Sequence, residues 1–477
     1  MTGSLNFWDY QTWSFVVVLS VLSGGMLLAN LLRRLIRPLR RSLIPSSVLA
    51  GFLVLAAMKV FEAIFGRAMF DGSVLETLTY HGLGIGFVAV ALRSTENHAG
   101  RKARIDIFNS GLVTVTTYLI QGIVGLAITL GLSYVLGNWA SGGILLPMGY
   151  GQGPGQAFNW GHTYETATAY PPFQGGASFG LTVAAMGFIA ASLGGVIYLN
   201  RMRRSGNPKA QRENAEELED LSAEIITGKN EIPLSESMDK FTVQVAMVLL
   251  VYFTTFLFMW AVSLGLDRLG GFWVNTVKPL IWGFNFLFGT VFAVLYKAIF
   301  SGCRKRGWCK RQYLNNFMLG RISGLMFDLM VTASIAAIDL SAFARKEFVI
   351  PLLAICVAGA FLTYWYCKRV CDRLFPDYRD EAFLAMYGML TGTASTGVIL
   401  LREIDPLFET PASGNLIYQQ IWAIVFGFPM LLLLGVVAQS MTMTWITLAA
   451  LVGLFAVTFV IMYRSVIFKR KTVEAQK

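Results

Sequence analysis

The chain has 477 residues, 55% hydrophobic and only 14% charged, with a mean hydropathy of +0.57. A soluble domain carries about a quarter charged residues, so this chain lacks the means to cover a water-facing surface, which excludes a soluble enzyme. The net charge of +11 is a topology signal rather than affinity for nucleic acid, and five Cys without framework spacing exclude a disulfide-stapled secreted domain.

About 20 apolar residues are needed for a helix to cross the roughly 30 Å hydrocarbon core. On that scale an all-α integral membrane protein is predicted, with spans near 15–32, 46–65, 79–96, 107–137, 176–199, 241–266, 279–299, 317–338, 348–367, 416–438 and 443–463. The first apolar run has no basic residue before it and no small-residue cleavage site after it, so it is expected to stay as a membrane helix. Two glycine-rich apolar stretches, 141–165 and 383–403, are left over.

Basic loops are retained in the cytoplasm. With the N-terminus outside, the loops 33–45, 93–106, 200–240, 297–316, 368–382 and 464–477 hold 31 of the 39 Lys and Arg. That asymmetry requires both glycine-rich stretches to enter the membrane and return to the side they came from. The first is predicted to enter from outside and the second from inside.

The pattern then repeats after about 240 residues, positions 151–157 pairing with 391–397. The predicted organisation is an external N-terminus (1–14), a first repeat (15–199, hairpin 141–165), a cytoplasmic linker (200–240) with a short amphipathic helix near 211–226, a second repeat (241–438, hairpin 383–403), and an extra transmembrane helix with a cytoplasmic tail (439–477). An odd number of spans precedes the second repeat, so the two five-helix repeats are inverted. Inverted repeats whose broken elements meet near the midplane are the architecture of secondary transporters.

Irregular backbone at membrane depth is tolerated only where protein encloses it or water wets it. In the first hairpin Gly151, Gln152, Gly153, Gly155, Gln156 and Asn159 surround Pro154; glycines permit an unwound turn and Pro154 removes a donor. The second offers Thr391, Gly392, Thr393, Ser395, Thr396 and Gly397, neutral oxygens suited to Na⁺ or to a carboxylate's hydrogen bonds. These twelve residues are the expected substrate site, the competing reading being tight packing of small residues. Asp328 falls about 11 residues, hence about 16 Å, into the eighth span, where an ionisable side chain is costly. It is expected to ligate sodium or carry a proton, with Thr332 one turn further on the same face.

Three weaker signals compete with this. Gly-Ala-Ser-Phe-Gly at 176–180 matches G-x-S-x-G, so an intramembrane serine hydrolase at Ser178 is the alternative from a different class, with only His81, His98 and His162 as bases. Cys303, Cys309, Cys367 and Cys371 share the cytoplasmic side, but their spacings suit free thiols better than zinc. No Walker or Rossmann loop is present, so ATP-driven transport is not expected.

Leu-Ile-Pro-Ser-Ser-Val-Leu-Ala-Gly at 43–51, Leu-Gly-Ile-Gly-Phe at 83–87 with a following Arg93, and Leu-Gly-Arg-Ile-Ser at 319–323 resemble signatures of the bacterial sodium/glutamate symporter family. Both glycine-rich stretches fall where that family has its re-entrant loops. The resemblance implies a non-enzymatic homodimer in a bacterial cytoplasmic membrane, with the C-terminus inside. The first two helices of each half would form a static scaffold, and the rest a mobile body moving elevator-fashion with Na⁺ and an acidic amino acid at the hairpin tips. The expected solute is thus a small anionic amino acid, glutamate first; the first hairpin departs from the family's Gly-Gly-His-Gly-Thr pattern, so another carboxylate, coupled to sodium or protons, is the alternative.

Overall fold

The computed structural model describes residues 7–93, 100–166, 171–207, 239–307 and 314–474. The expected linker helix near 211–226, His98 and Cys309 lie outside them. Among the described residues the chain is all-helical, and eleven helices are long and apolar enough to cross a membrane. Large apolar side chains line their outer faces, Phe361 74% and Leu27 73% exposed among them. An apolar belt of that extent requires lipid or protein against it.

The first three helices are α1 (Tyr10–Leu35), α2 (Ser46–Phe65) and α3 (Gly72–Leu92), followed by the 36-residue α4 (Arg101–Leu136). The third was expected at 79–96 and starts seven residues earlier because Asp71 caps it, its Oδ1 accepting the Ser73 N–H at 3.0 Å. Then comes a broken unit made of a 3₁₀ turn (Ala140–Ile144), α5 (Leu145–Tyr150) and α6 (Pro154–Glu165), and next α7 (Gly176–Arg204).

The later part of the chain holds α8 (Lys240–Leu269), α9 (Asn285–Lys305), α10 (Asn316–Ala336) and α11 (Lys346–Leu374). A second broken unit, α12 (Arg379–Thr391) and α13 (Ala394–Arg402), precedes α14 (Gln420–Val437) and α15 (Met441–Glu474). The continuous span expected at 279–299 is corrected: a short helix at Lys278–Gly283 ends at Phe284 before α9 begins. Pro279 sits at its N-terminus and Gly283 at its end, which favours separate short helices over one long rod.

Helices α3 and α10 cross each other; α9 packs on α3, α2 on α10, α1 on α2 and α8 on α9. On the other side α4 is the axis, contacted by α11, α14 and α15. It carries unusual polarity for a buried helix. Ser110, Thr114, Thr116, Thr117 and Thr129 satisfy their hydroxyls by donating to carbonyls one turn back, so none is left unpaired in an apolar setting. Backbones come unusually close where α4 meets the first broken unit, since a Cβ on Gly143 would run into the Gly125 carbonyl. Helix α15 docks here too, Ser141 and Thr444 sharing a hydrogen bond at 2.7 Å.

Residues flanking each broken unit are in contact with one another. Before and after the first, Trp139 and Phe173 stack at 4.7 Å, and Trp139 Nε1 donates to the Pro171 carbonyl at 3.0 Å. Around the second, Asn415 Nδ2 donates to Tyr378 Oη at 2.9 Å, and Tyr378 in turn donates to Asp106 at the start of α4.

Candidate functional site

The two breaks meet midway along α4. Tyr118 Oη donates to the Gly151 carbonyl at 2.9 Å, and one turn on Gln121 Nε2 donates to the Leu390 carbonyl at 3.0 Å and to Thr363 at 2.8 Å. Tyr150 anchors the first break from another direction, donating to the Cys356 carbonyl of α11 at 2.7 Å. Gly153 has φ +86°, open to glycine and strained for other residues, and a Cβ there would lie 3.2 Å from Thr393 Cγ2 and 3.7 Å from the Gly392 carbonyl. Gly187 on α7 admits the close approach of Tyr150 and the Thr391 carbonyl.

Gly153 is the N-cap of α6 and Thr393 the N-cap of α13, and neither end has a side-chain cap. Their contact brings two half-helix N-termini together. Each end carries roughly half a positive charge and several N–H groups without intrahelical partners, so the junction is arranged to receive an anion.

The twelve expected substrate residues divide into three groups. Gly151, Gly153, Gly392 and Thr393 form the junction, with Gln152 half-buried beside them and Gly155 packed against Leu83 and Met330. Gln156 and Asn159, one turn apart on α6, are 1% and 5% exposed; among the described residues both amide atoms of Gln156 and Oδ1 of Asn159 have no hydrogen-bond partner. On the second unit Thr391 donates to the Tyr387 carbonyl at 2.6 Å, Thr393 and Thr396 lie 3.4 Å apart, Ser395 is exposed, and Gly397 lets α13 close against Gly388 of α12.

Asp328 and Thr332 lie elsewhere. Met330 faces Gly155, and Asp328, two residues back and so about 200° round the helix, points away from it. Asp328 lies beside Ser47, and Thr332 donates to the Ser47 carbonyl at 3.1 Å. The structure thus groups both with Ser47 on the seam between α2 and α10.

The Ser178 hydroxyl accepts the Asp339 N–H at 2.9 Å and so ties down a loop. In that loop Asp339 accepts from the Ser341 hydroxyl and N–H, which holds its carboxyl below the usual 3.8. Of the described histidines, His81 is bonded to Tyr252 at 2.9 Å and His162 lies 3.7 Å from Glu165. Cys367 and Cys371 are buried in α11, and no cluster of three metal-ligating side chains occurs among the described residues.

Several residues at the site escaped the sequence reading. Tyr118 and Gln121 are an i, i+3 polar pair in an apolar helix, a signal that could have been used. Asn285, fully buried with Oδ1 unpartnered among the described residues, lay hidden inside the expected continuous span; Trp160, whose Nε1 is likewise unpartnered, sits in the first broken unit among aromatic neighbours. No family model, no curated protein and no solved structure matches the chain.

Proposed function

We propose that the chain is a sodium-coupled secondary symporter for a small anionic amino acid, L-glutamate first, and that its two halves are inverted repeats whose broken units are re-entrant hairpins. The observation that carries this reading is the meeting of two uncapped half-helix N-termini, at Gly153 and Thr393, midway along the longest helix. Two positive helix ends facing one another are unfavourable without an anion between them. Transporters use broken helices in this way, and placing the break at the junction of two oppositely oriented halves lets one rearrangement expose it to either side. The resemblance of 43–51, 83–87 and 319–323 to sodium/glutamate symporters supports the same reading, and with it a homodimer in a bacterial cytoplasmic membrane that moves elevator-fashion.

The coupling ion is assigned to Asp328 and Thr332 beside Ser47. Carboxylate, hydroxyl and carbonyl oxygens suit a hard cation, and the α2–α10 seam would lie between the proposed scaffold and the proposed mobile body. The test is uptake of labelled L-glutamate into proteoliposomes of the purified protein, with and without an inward sodium gradient. Sodium-driven accumulation is expected. Equal uptake without sodium would discard the coupling ion, and uptake of neither glutamate nor another carboxylate would discard the symporter.

A further inference from the structure

One turn into α6, a group of buried polar atoms lacks partners in a pattern of its own. Gln156, Asn159 and Trp160 project from one face of α6, and that face lies against the helix interruption at Gly283 to Asn285. Asn159 Nδ2 donates to the Gly283 carbonyl at 3.4 Å, and the Trp160 ring packs 5.4 Å from that of Phe284. Asn285 Nδ2 donates to the Tyr80 carbonyl at 3.3 Å and to Tyr252 Oη at 3.2 Å. All four side chains are at least nine-tenths buried, at 1%, 5%, 0% and 0% exposure.

Among the described residues no hydrogen-bond partner exists for Gln156 Oε1 and Nε2, Asn159 Oδ1, Trp160 Nε1 or Asn285 Oδ1. Both asparagines spend their nitrogen on carbonyls, so their oxygens are the free ends; Gln156 is free at both ends whichever way its amide is turned. That leaves three acceptors and two donors around one seam, with no charged side chain among these four. A bare cation would occupy the oxygens and leave the Gln156 and Trp160 N–H groups buried and unpaired, which is costly. An α-ammonium with three N–H and an α-carboxylate with two oxygens match the set one for one, and their charges sum to zero.

We propose that Gln156, Asn159, Trp160 and Asn285 hold the α-ammonium and α-carboxylate groups of the transported solute, so that the protein selects α-amino acids over simple carboxylates. The assignment rests on the proposed transport reading and adds Trp160 and Asn285 to the binding residues. One helical turn, about 5 Å, separates Gln156 and its neighbours from the α6–α13 junction. A side-chain carboxylate on a two-methylene arm spans that interval.

The test is ligand binding to the purified full-length protein, followed by thermal shift, with L-glutamate, glutarate (no amino group), 4-aminobutanoate (no α-carboxylate) and L-alanine. L-Glutamate is expected to bind at least tenfold tighter than glutarate or 4-aminobutanoate. Trp160→Phe, which keeps the ring and loses the N–H, is expected to weaken L-glutamate at least tenfold while unliganded thermal stability stays at or above wild type; Asn285→Leu is expected to weaken L-glutamate at least tenfold and, by giving up the bonds to Tyr80 and Tyr252, to lower thermal stability. Glutarate binding as tightly as L-glutamate overturns the assignment and leaves anion transport standing, as does wild-type glutamate affinity in both variants. Binding of L-alanine without L-glutamate, lost in Trp160→Phe, supports the assignment and removes glutamate as solute. Binding of none of the four overturns both.

Discussion

The two breaks look alike in sequence, glycines among small polar residues, yet they satisfy their polar groups in opposite ways. At the second, Thr391 returns its hydroxyl to its own helix at 2.6 Å and Thr393 and Thr396 face one another. At the first, Gln156 and Asn159 are buried with amide atoms unpaired. A hydroxyl on a helix can always reach a carbonyl one turn back; a longer amide aimed at a neighbouring element depends on what that element presents. The second break therefore closes on itself, whereas in the proposed function the solute would complete the first. On this reading the first break selects the solute and the second supplies backbone and helix charge.

The harshest way to break that comparison is to damage the contact both breaks share. Gly153→Val forces a β-branched residue into an extended, positive-φ conformation open essentially to glycine alone, costing about 1–3 kcal/mol, and places Cβ 3.2 Å from Thr393 Cγ2. Uptake should fall at least a hundredfold; activity near wild type would mean that the junction plays no part in transport.

Next is Gln156→Met, which removes two unpaired polar atoms and keeps the volume. Each buried unpaired group costs about 1–3 kcal/mol, so this variant should unfold at a higher temperature than wild type while losing uptake at least tenfold. A lower unfolding temperature would show that Gln156 is already satisfied in the resting protein. Asp328→Asn probes the third region, the α2–α10 seam, and should leave glutamate binding measurable while reducing the sodium dependence of uptake about tenfold; unchanged sodium dependence would remove Asp328 from coupling.

At the second break, Thr391→Val should cost about 0.5–1.5 kcal/mol of stability and change uptake less than threefold. A large transport defect there would erase the distinction between the breaks. The smallest effect is expected at Asp339, remote from both. Its carboxyl is held below 3.8 in the folded protein by the Ser341 hydroxyl and N–H, so the stabilisation is present above 3.8 and is lost as pH falls through the lower folded value. Wild type and Asp339→Asn should differ slightly in unfolding temperature near neutrality and converge in acid, as detergent thermal melts at a series of pH values would show.

Much of this was legible from residue order. Helix number, the two broken units and the Gly–Pro break all follow from hydropathy runs and glycine placement, because each is local: a bilayer demands about 20 apolar residues per crossing and punishes unpaired backbone within it. Asp328 was singled out by depth alone, and depth says nothing of azimuth. Its carboxylate lies on the opposite side of α10 from Met330, which faces the first break.

Composition and spacing thus determined the class of the molecule, its spans and the positions where the chain is interrupted. Only the tertiary structure decided that Gly153 and Thr393 touch, that Tyr118 and Gln121 of α4 hold both breaks at one depth, and that Asn159 reaches the Gly283 carbonyl at a helix interruption. These are contacts between segments more than a hundred residues apart, or between helices whose rotation is set by packing. Half a turn of rotation about its axis moves a side chain from the site to the lipid without changing hydropathy at all.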